Sequence, residues 1–351
     1  MKIALLGLQG AGKKTLFGLM TGAQPPAVGP KGVPGVFSVR DPRVDALSAL
    51  YRPDKTTYAR IDVLLLPDVE RSEGKAAWLD DVRLLDGIVV VARAFPDPAV
   101  FHPVGSVDPA RDIDSFLCEL VFADLFLMER RKDKLASEMR ARNTPEKERE
   151  LQAVEKVAVG LEGGGTVRGL GLSEADKLAL FNYQFLTDKA IAGVVNVTQG
   201  EETPELRAAL DQRFSSRMSM SHFDAKLESE IAAMADARER QEFLSGMGIT
   251  EPAVAVLTRC IYDALGLMSY YTVGEDEVRA WTVRRGSTAP QAARAIHTDL
   301  ERTFIRAEHM KFQDLIELGS EAKVKEAGRF SLKGKDYVVA DGDILSFRAA
   351  S

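Results

Sequence analysis

Met1-Lys2-Ile3-Ala4-Leu5-Leu6-Gly7-Leu8-Gln9-Gly10-Ala11-Gly12-Lys13-Lys14-Thr15-Leu16-Phe17 opens the chain. Ile3 to Leu6 form an unbroken apolar run, the composition of a strand buried on both faces. Gly7, Gly10 and Gly12 allow a tight backbone turn, and Thr15-Leu16-Phe17 starts a helix. Strand, glycine loop and helix in this order make an anion cradle, because successive backbone N–H groups and the positive helix end face the same point. The spacing follows G-x-x-x-x-G-K-[ST], with Lys13 where a lysine reaches the β and γ phosphates of a nucleotide. Gly7, Gln9, Gly10, Ala11, Gly12, Lys13, Lys14 and Thr15 are therefore candidate nucleotide-binding residues. One position departs from the pattern. The hydroxyl that would ligate Mg²⁺ is replaced by Lys14, whose ammonium has three donors and no lone pair. Thr15 does not substitute, since one step along a helix turns the side chain by about 100°. No metal ligand is assigned, which puts Mg²⁺ in doubt. A vestigial loop that binds nothing would use the same glycines, so that alternative stays open.

With 351 residues the chain can bury a large core and divide into two or three domains. Its 45% apolar and 28% charged residues are ordinary for a soluble globular protein. No apolar run approaches the length of a membrane span, and Gly7 interrupts the apolar start too early for a secretory signal. The expected location is the cytoplasm, with no membrane partner. A net charge of -6 argues against coating DNA or RNA wholesale. Cys118 and Cys260 stand far apart without metal-ligand spacing and read as buried free thiols.

Beyond the first helix, Thr21 to Pro34 is too rich in Gly and Pro for a helix or a central strand. Val36 to Val39, Ile61 to Leu66, Gly87 to Ala94 and Ala190 to Val197 read as strands, alternating with helices at Asp41 to Leu50 and Trp78 to Leu85. Continuous Val, Ile and Leu strands separated by helices predict an α/β fold with a parallel sheet covered on both faces. An insertion interrupts it. Asp112 to Arg142 and Glu146 to Leu161 carry apolar residues at helical spacing around the break Asn143-Thr144-Pro145, which predicts an antiparallel helical hairpin. Toward the C-terminus, helices are expected at Pro204 to Phe214, Ala225 to Met234, Pro252 to Leu265 and Pro290 to Phe304. Strands are expected at Val278 to Val283, Tyr337 to Val339 and Ile344 to Phe347. The last 80 or so residues have the size and order of a β-grasp domain.

These residues carry a resemblance. The chain is similar to the YchF group of Obg-like P-loop ATPases, whose C-terminal β-grasp domain is called TGS. The match is densest at Glu277-Val278-Arg279-Ala280-Trp281-Thr282, Ala289-Pro290-Gln291-Ala292-Ala293, Ile296-His297-Thr298-Asp299 and Phe304-Ile305-Arg306-Ala307-Glu308. It continues through Gly334-Lys335-Asp336-Tyr337 and Asp341-Gly342-Asp343, with weaker echoes at Asp41-Pro42-Arg43-Val44-Asp45 and Val107-Asp108-Pro109. The resemblance implies a P-loop domain at residues 1–111 and 186–266, a helical hairpin at 112–185 and a TGS-like domain at 267–351. It further implies a cytosolic protein that prefers ATP to GTP, hydrolyses it slowly and associates with ribosomes or their RNA. In the base site Asn196, Val197 and Gln199 stand where the family has Asn-x-x-Glu, and the Gln199 amide suits the edge of adenine, although it could also accept from guanine. ATP or ADP is the expected cofactor. The family's D-x-x-G appears as Leu65-Leu66-Pro67-Asp68, and its glycine-rich switch as Val69-Glu70-Arg71-Ser72-Glu73-Gly74. On that alignment both the acid and the phosphate-sensing glycine are missing.

Two functions are compatible with these residues. One is a YchF-like nucleotide-binding protein associated with translation, favouring ATP, with weak or no hydrolysis. The other is a pseudo-ATPase, a ribosome- or RNA-binding module whose nucleotide site is structural or empty. No catalytic residue is assigned, and a monomer is favoured. His297 is the remaining polar residue that most invites a function, although a buried hydrogen-bonding histidine would read the same way.

Overall fold

The computed structural model describes residues 1–350 apart from 26, 30, 69–77, 199–202 and 248–251, together with the side chains of 237 and 241. Its first elements are β1 (Lys2–Gly7), α1 (Lys13–Thr21), β2 (Val33–Val39), α2 (Pro42–Tyr51), β3 (Lys55–Thr57) and β4 (Ala59–Leu65). After α3 (Trp78–Arg83) and β5 (Gly87–Arg93) comes the hairpin, α4 (Pro109–Ala141) and α5 (Pro145–Glu162). The chain returns through α6 (Glu174–Ala179) to β6 (Ala190–Asn196), α7 (Pro204–Phe214), β7 (Ser219–Phe223), α8 (Ala225–Ala233), α9 (Ala237–Gly246) and α10 (Ala253–Ala264). It ends with β8 (Leu267–Thr272), β9 (Glu277–Arg284), α11 (Ala289–Ile296), α12 (Thr298–Arg302), β10 (Phe304–Lys311), α13 (Phe312–Leu318), α14 (Glu321–Glu326), β11 (Ser331–Lys333) and β12 (Asp343–Ala349).

Packing divides the chain into two units, Met1–Gly35 with Asp62–Phe243, and Val36–Ile61 with Leu244–Ser351. The first sheet has the order β2-β4-β1-β5-β6-β7. Its β1 is parallel to β4, with Leu5 beside Leu65, and to β5, with Leu6 beside Val90. Strands β5 and β6 are buried at every position, as expected of a sheet covered on both faces. Pro34 is accommodated in β2, which lies at the sheet edge, where alternate N–H groups have no ladder partner. The glycine loop therefore leaves the C-terminal end of a strand flanked on both sides, where open α/β sheets form their ligand crevices.

The hairpin follows its predicted break. Thr144 caps α5 by accepting from Lys147 N, and Pro145 takes the first helical position. Met128 and Leu135 of α4 are buried with Val154, Val157 and Leu161 of α5, whereas Cys118, expected to be buried, is exposed on α4. Arg131 grips Glu150 across the pair, at 2.8 and 2.9 Å. At the hairpin base the buried Asp124 carboxylate accepts from Leu186 N, Thr187 N and Thr187 Oγ1 at 2.8–3.0 Å and from Arg83 at 3.1 Å.

The second unit has the sheet order β11-β10-β12-β8-β9-β3. Here several sequence expectations fail. The helix expected over Pro290 to Phe304 is two short helices, because His297 has extended backbone and its Nδ1 accepts from Asp299 N at 3.2 Å to cap α12. Phe304 begins β10 instead of ending a helix. Tyr337 to Val339 is no strand. It contributes an isolated bridge, Val338 to Thr288, and the Asp343 carboxylate accepts from Ala340 N and the Tyr337 hydroxyl at 2.8 and 2.7 Å. His297 is exposed, and the buried histidine of this unit is His309, which meets Asp343 at 2.9 Å and Ser331 at 3.0 Å.

Candidate functional site

Helix α1 is preceded at its N-cap by Gly12, whose φ of 94° lies in the left-handed region that L side chains avoid. Space forbids a side chain there too, since a Cβ would overlap the Asn196 amide. Asn196 in turn donates from Nδ2 to Ala11 O at 3.1 Å and accepts from Ala225 N at 3.1 Å. It therefore staples the glycine loop to the start of α8. Expected to read a base, this side chain spends its oxygen and one N–H on the scaffold. Gly7 contributes through its carbonyl and through closeness to β5, where a Cβ would overlap Val91 O.

A cavity of about 770 Å³ opens over the loop. Gln9, Gly10, Ala11, Gly12, Lys13, Lys14, Thr15, Asn196 and Val197 all border it, so the fold brings the strand-end residues and the loop to one cavity. Gln199 and the segment 69–74 lie outside the described residues. Sequence reasoning overlooked a second wall made by Phe95, Pro96, Asp97 and Val100, and a third made by Asp224, Ala225, Lys226 and Ser229. Both follow a strand end, the signal that flagged the first loop. The second wall is held by Arg93, which is 2% exposed and donates to Phe95 O, Asp97 O and Val100 O at 2.9–3.0 Å. The third begins with Asp224 capping α8, its carboxylate accepting from Lys226 N and Leu227 N.

Lys13 is the most constrained group in the site. It is 4% exposed, and its ammonium donates to Gly7 O at 2.6 Å, Leu8 O at 2.8 Å and Asp68 Oδ1 at 2.6 Å. All three of its donors are used. Burial pushes its pKa below the ordinary lysine value, and Asp68 offsets that only in part. An acid nevertheless reaches the loop. Leu65, the position aligned with the missing acid, is fully buried on β4, whereas Asp68 comes to the loop three residues on, where the chain has left the strand. Lys14 borders the same cavity, exposed, and makes no hydrogen bond or ion pair with another described residue.

Can this donor set hold what a P-loop implies? A phosphate chain fits: the loop is an open cradle of backbone N–H groups with a cation exposed beside it. A divalent cation does not fit. Of the carboxylates bordering the cavity, Asp68 is ion-paired with Lys13, Asp97 accepts from Ala99 N and Asp224 caps α8, and the position that should offer a hydroxyl offers a second ammonium.

A C-terminal family model, YchF-GTPase_C, described as "Protein of unknown function (DUF933)", matches residues 267–350. The chain is 37% identical over 359 residues to the ribosome-binding ATPase YchF of Haemophilus influenzae, covering 99% of this chain and 98% of that protein. The ribosome-binding ATPase YchF of Bacillus subtilis is 33% identical, covering 98% of each. The chain belongs to the YchF/Obg-like ATPase family. Obg-like ATPase 1 of Oryza sativa subsp. japonica is 34% identical over 99% of this chain and 92% of its own. Among solved structures, the YchF GTPase of Schizosaccharomyces pombe superposes with a TM-score of 0.83 at 29% identity, over 99% of this chain and 97% of that one. The match to the YchF structure spans 99% of this chain, so Lys14 and Asp68 lie within the shared fold.

Proposed function

We propose that this chain is a cytoplasmic, YchF-like nucleotide-binding protein that takes adenine nucleotides in preference to guanine nucleotides, associates with ribosomes and hydrolyses nucleotide weakly or not at all. The observation that carries this reading is the glycine loop at the end of β1, opening on a cavity of about 770 Å³ with Lys13 beneath it and Lys14 exposed beside it. The ribosome enters from the names of the bacterial relatives, ribosome-binding ATPases. The preference for adenine rests on Gln199, and the hairpin and the C-terminal region are taken as the ribosome-facing parts.

Weak turnover follows from the charges. Phosphoryl transfer is mostly positioning and neutralisation of the phosphate oxygens, and the divalent ion is ordinarily the largest local charge doing so. Two lysines supply fixed positive charge, but neither orients a leaving group as a metal shared between phosphates does. Nucleotide affinity should then depend little on Mg²⁺. The second reading, an empty site kept as structure, draws on the saturation of Lys13 by Gly7, Leu8 and Asp68. Calorimetry with ADP, ATP and GTP, with and without Mg²⁺, separates the two. Binding with similar affinity in both conditions supports the nucleotide reading, and no heat up to millimolar nucleotide leaves the empty site.

A further inference from the structure

We infer that the Asp68 carboxylate occupies the place of a terminal phosphate, so that this site holds a nucleoside diphosphate in preference to a triphosphate. The inference rests on the nucleotide reading above and specifies the ligand of that same site. In a P-loop the lysine serves the β and γ phosphates. Here two of its three donors are spent on the loop's own carbonyls, Gly7 O and Leu8 O, which fix the side chain against the loop. The third is the one left for a ligand, and it points at Asp68 Oδ1, 2.6 Å away. Asp68 is no remote counter-ion: its side chain is 37% exposed and borders the cavity.

Either chain finds the third Lys13 donor already taken at its β phosphate, but a triphosphate also brings a further negatively charged phosphate against a carboxylate with no metal between them. A diphosphate needs only the loop N–H groups and the exposed Lys14. The ion pair between Lys13 and Asp68 then stays intact beneath it. The same residue that supplies a missing negative charge to an otherwise uncompensated buried lysine thereby sets the length of the phosphate chain. A site in which Asp68 swings aside with the arriving ligand would show no such preference.

Asp68→Asn keeps the shape and an acceptor oxygen for Lys13 but removes the charge. Affinities for ADP, ATP, pyrophosphate and inorganic triphosphate are to be measured by calorimetry in excess EDTA, for the unaltered chain and this variant, with thermal melts to confirm that both are folded. The unaltered chain is expected to bind ADP about tenfold or more tightly than ATP, and pyrophosphate more tightly than triphosphate. In Asp68→Asn the gap should shrink to roughly threefold or less, through gain of ATP rather than loss of ADP. Equal affinities in the unaltered chain, or a preference that Asp68→Asn leaves unchanged, would overturn the inference while the nucleotide reading stands. If neither nucleotides nor inorganic chains bind the unaltered protein, both fall together.

Discussion

At the scale of single residues the site is a set of exclusions. Gly12 is excluded from every other identity by its φ of 94° and by the Asn196 amide packed against it. Gly12→Ala should cost about 1–3 kcal/mol of stability through strain at that backbone position. Because the strain falls on the phosphate cradle, nucleotide affinity should drop as well. Thermal melts and calorimetry on one preparation check both, and an unchanged affinity would mean that the ligand does not use the loop. Asn196→Ala removes the staple from both Ala11 and Ala225 and leaves a buried backbone N–H unpaired, for a loss of about 1–3 kcal/mol read from urea denaturation. In the second unit, Asp41 and Asp343 are buried. Burial alone would raise their pKa values, but Arg43 and Tyr271 bonded to Asp41, and His309 and Tyr337 bonded to Asp343, hold them below the ordinary aspartate value. The folded chain therefore binds those protons more weakly than the unfolded one. The stability they contribute is complete above the unfolded value of about 3.9 and is lost as the pH falls from there through the folded values. Unfolding followed by Trp281 fluorescence in a Trp78→Phe background should show that loss below about pH 4, and Asp343→Asn should flatten it.

Among the elements, the hairpin depends on how it is tied to its base. Asp124 is fully buried on α4, yet three of its four bonds go to Leu186 and Thr187, on the chain's return toward β6. Asp124→Ala leaves two buried N–H groups and the Arg83 guanidinium without that acceptor, and should cost about 3–5 kcal/mol. Hydrogen exchange should speed up at Leu186 and Thr187 while the α4–α5 packing around Met128, Leu135 and Val157, which shares none of these bonds, stays protected. Uniform exchange across the whole hairpin would refute this local role.

On the scale of the whole molecule, the segment Val36–Ile61 belongs with the C-terminal unit. Strand β3 pairs with β9, with Thr56 beside Val278, and Asp41 accepts from the Tyr271 hydroxyl at 2.6 Å. The family model begins at residue 267, after this segment. A fragment of residues 267–351 should therefore unfold without a sharp transition, while the same fragment joined to residues 36–61 should regain one, as circular dichroism on heating would show. If ribosomes are the partner, contacts to RNA phosphates should make co-sedimentation fall steeply with salt. Protein that stays in the supernatant at low salt, with and without ADP, would exclude that partner.

Local chemistry was enough to place the parallel sheet, the hairpin and the glycine loop. Ile3 to Leu6, the break at Asn143-Thr144-Pro145 and the glycines at 7, 10 and 12 each state a backbone preference within a few residues of chain. Contacts distant in sequence could not be read that way. Asp68 meets Lys13 across 55 positions, Asn196 meets Ala11 across 185, and Asp41 meets Tyr271 across 230. The same limit explains why Phe304 was read as the end of a helix, since what makes it a strand is pairing with Ala349 on β12. Whether Lys13 would be a free phosphate ligand or a buried ammonium already matched by Asp68 was decided by tertiary structure alone. Desolvation of a lysine is a property of everything packed around it, and the one negative charge that offsets it in part is the carboxylate that the fold brings within 2.6 Å.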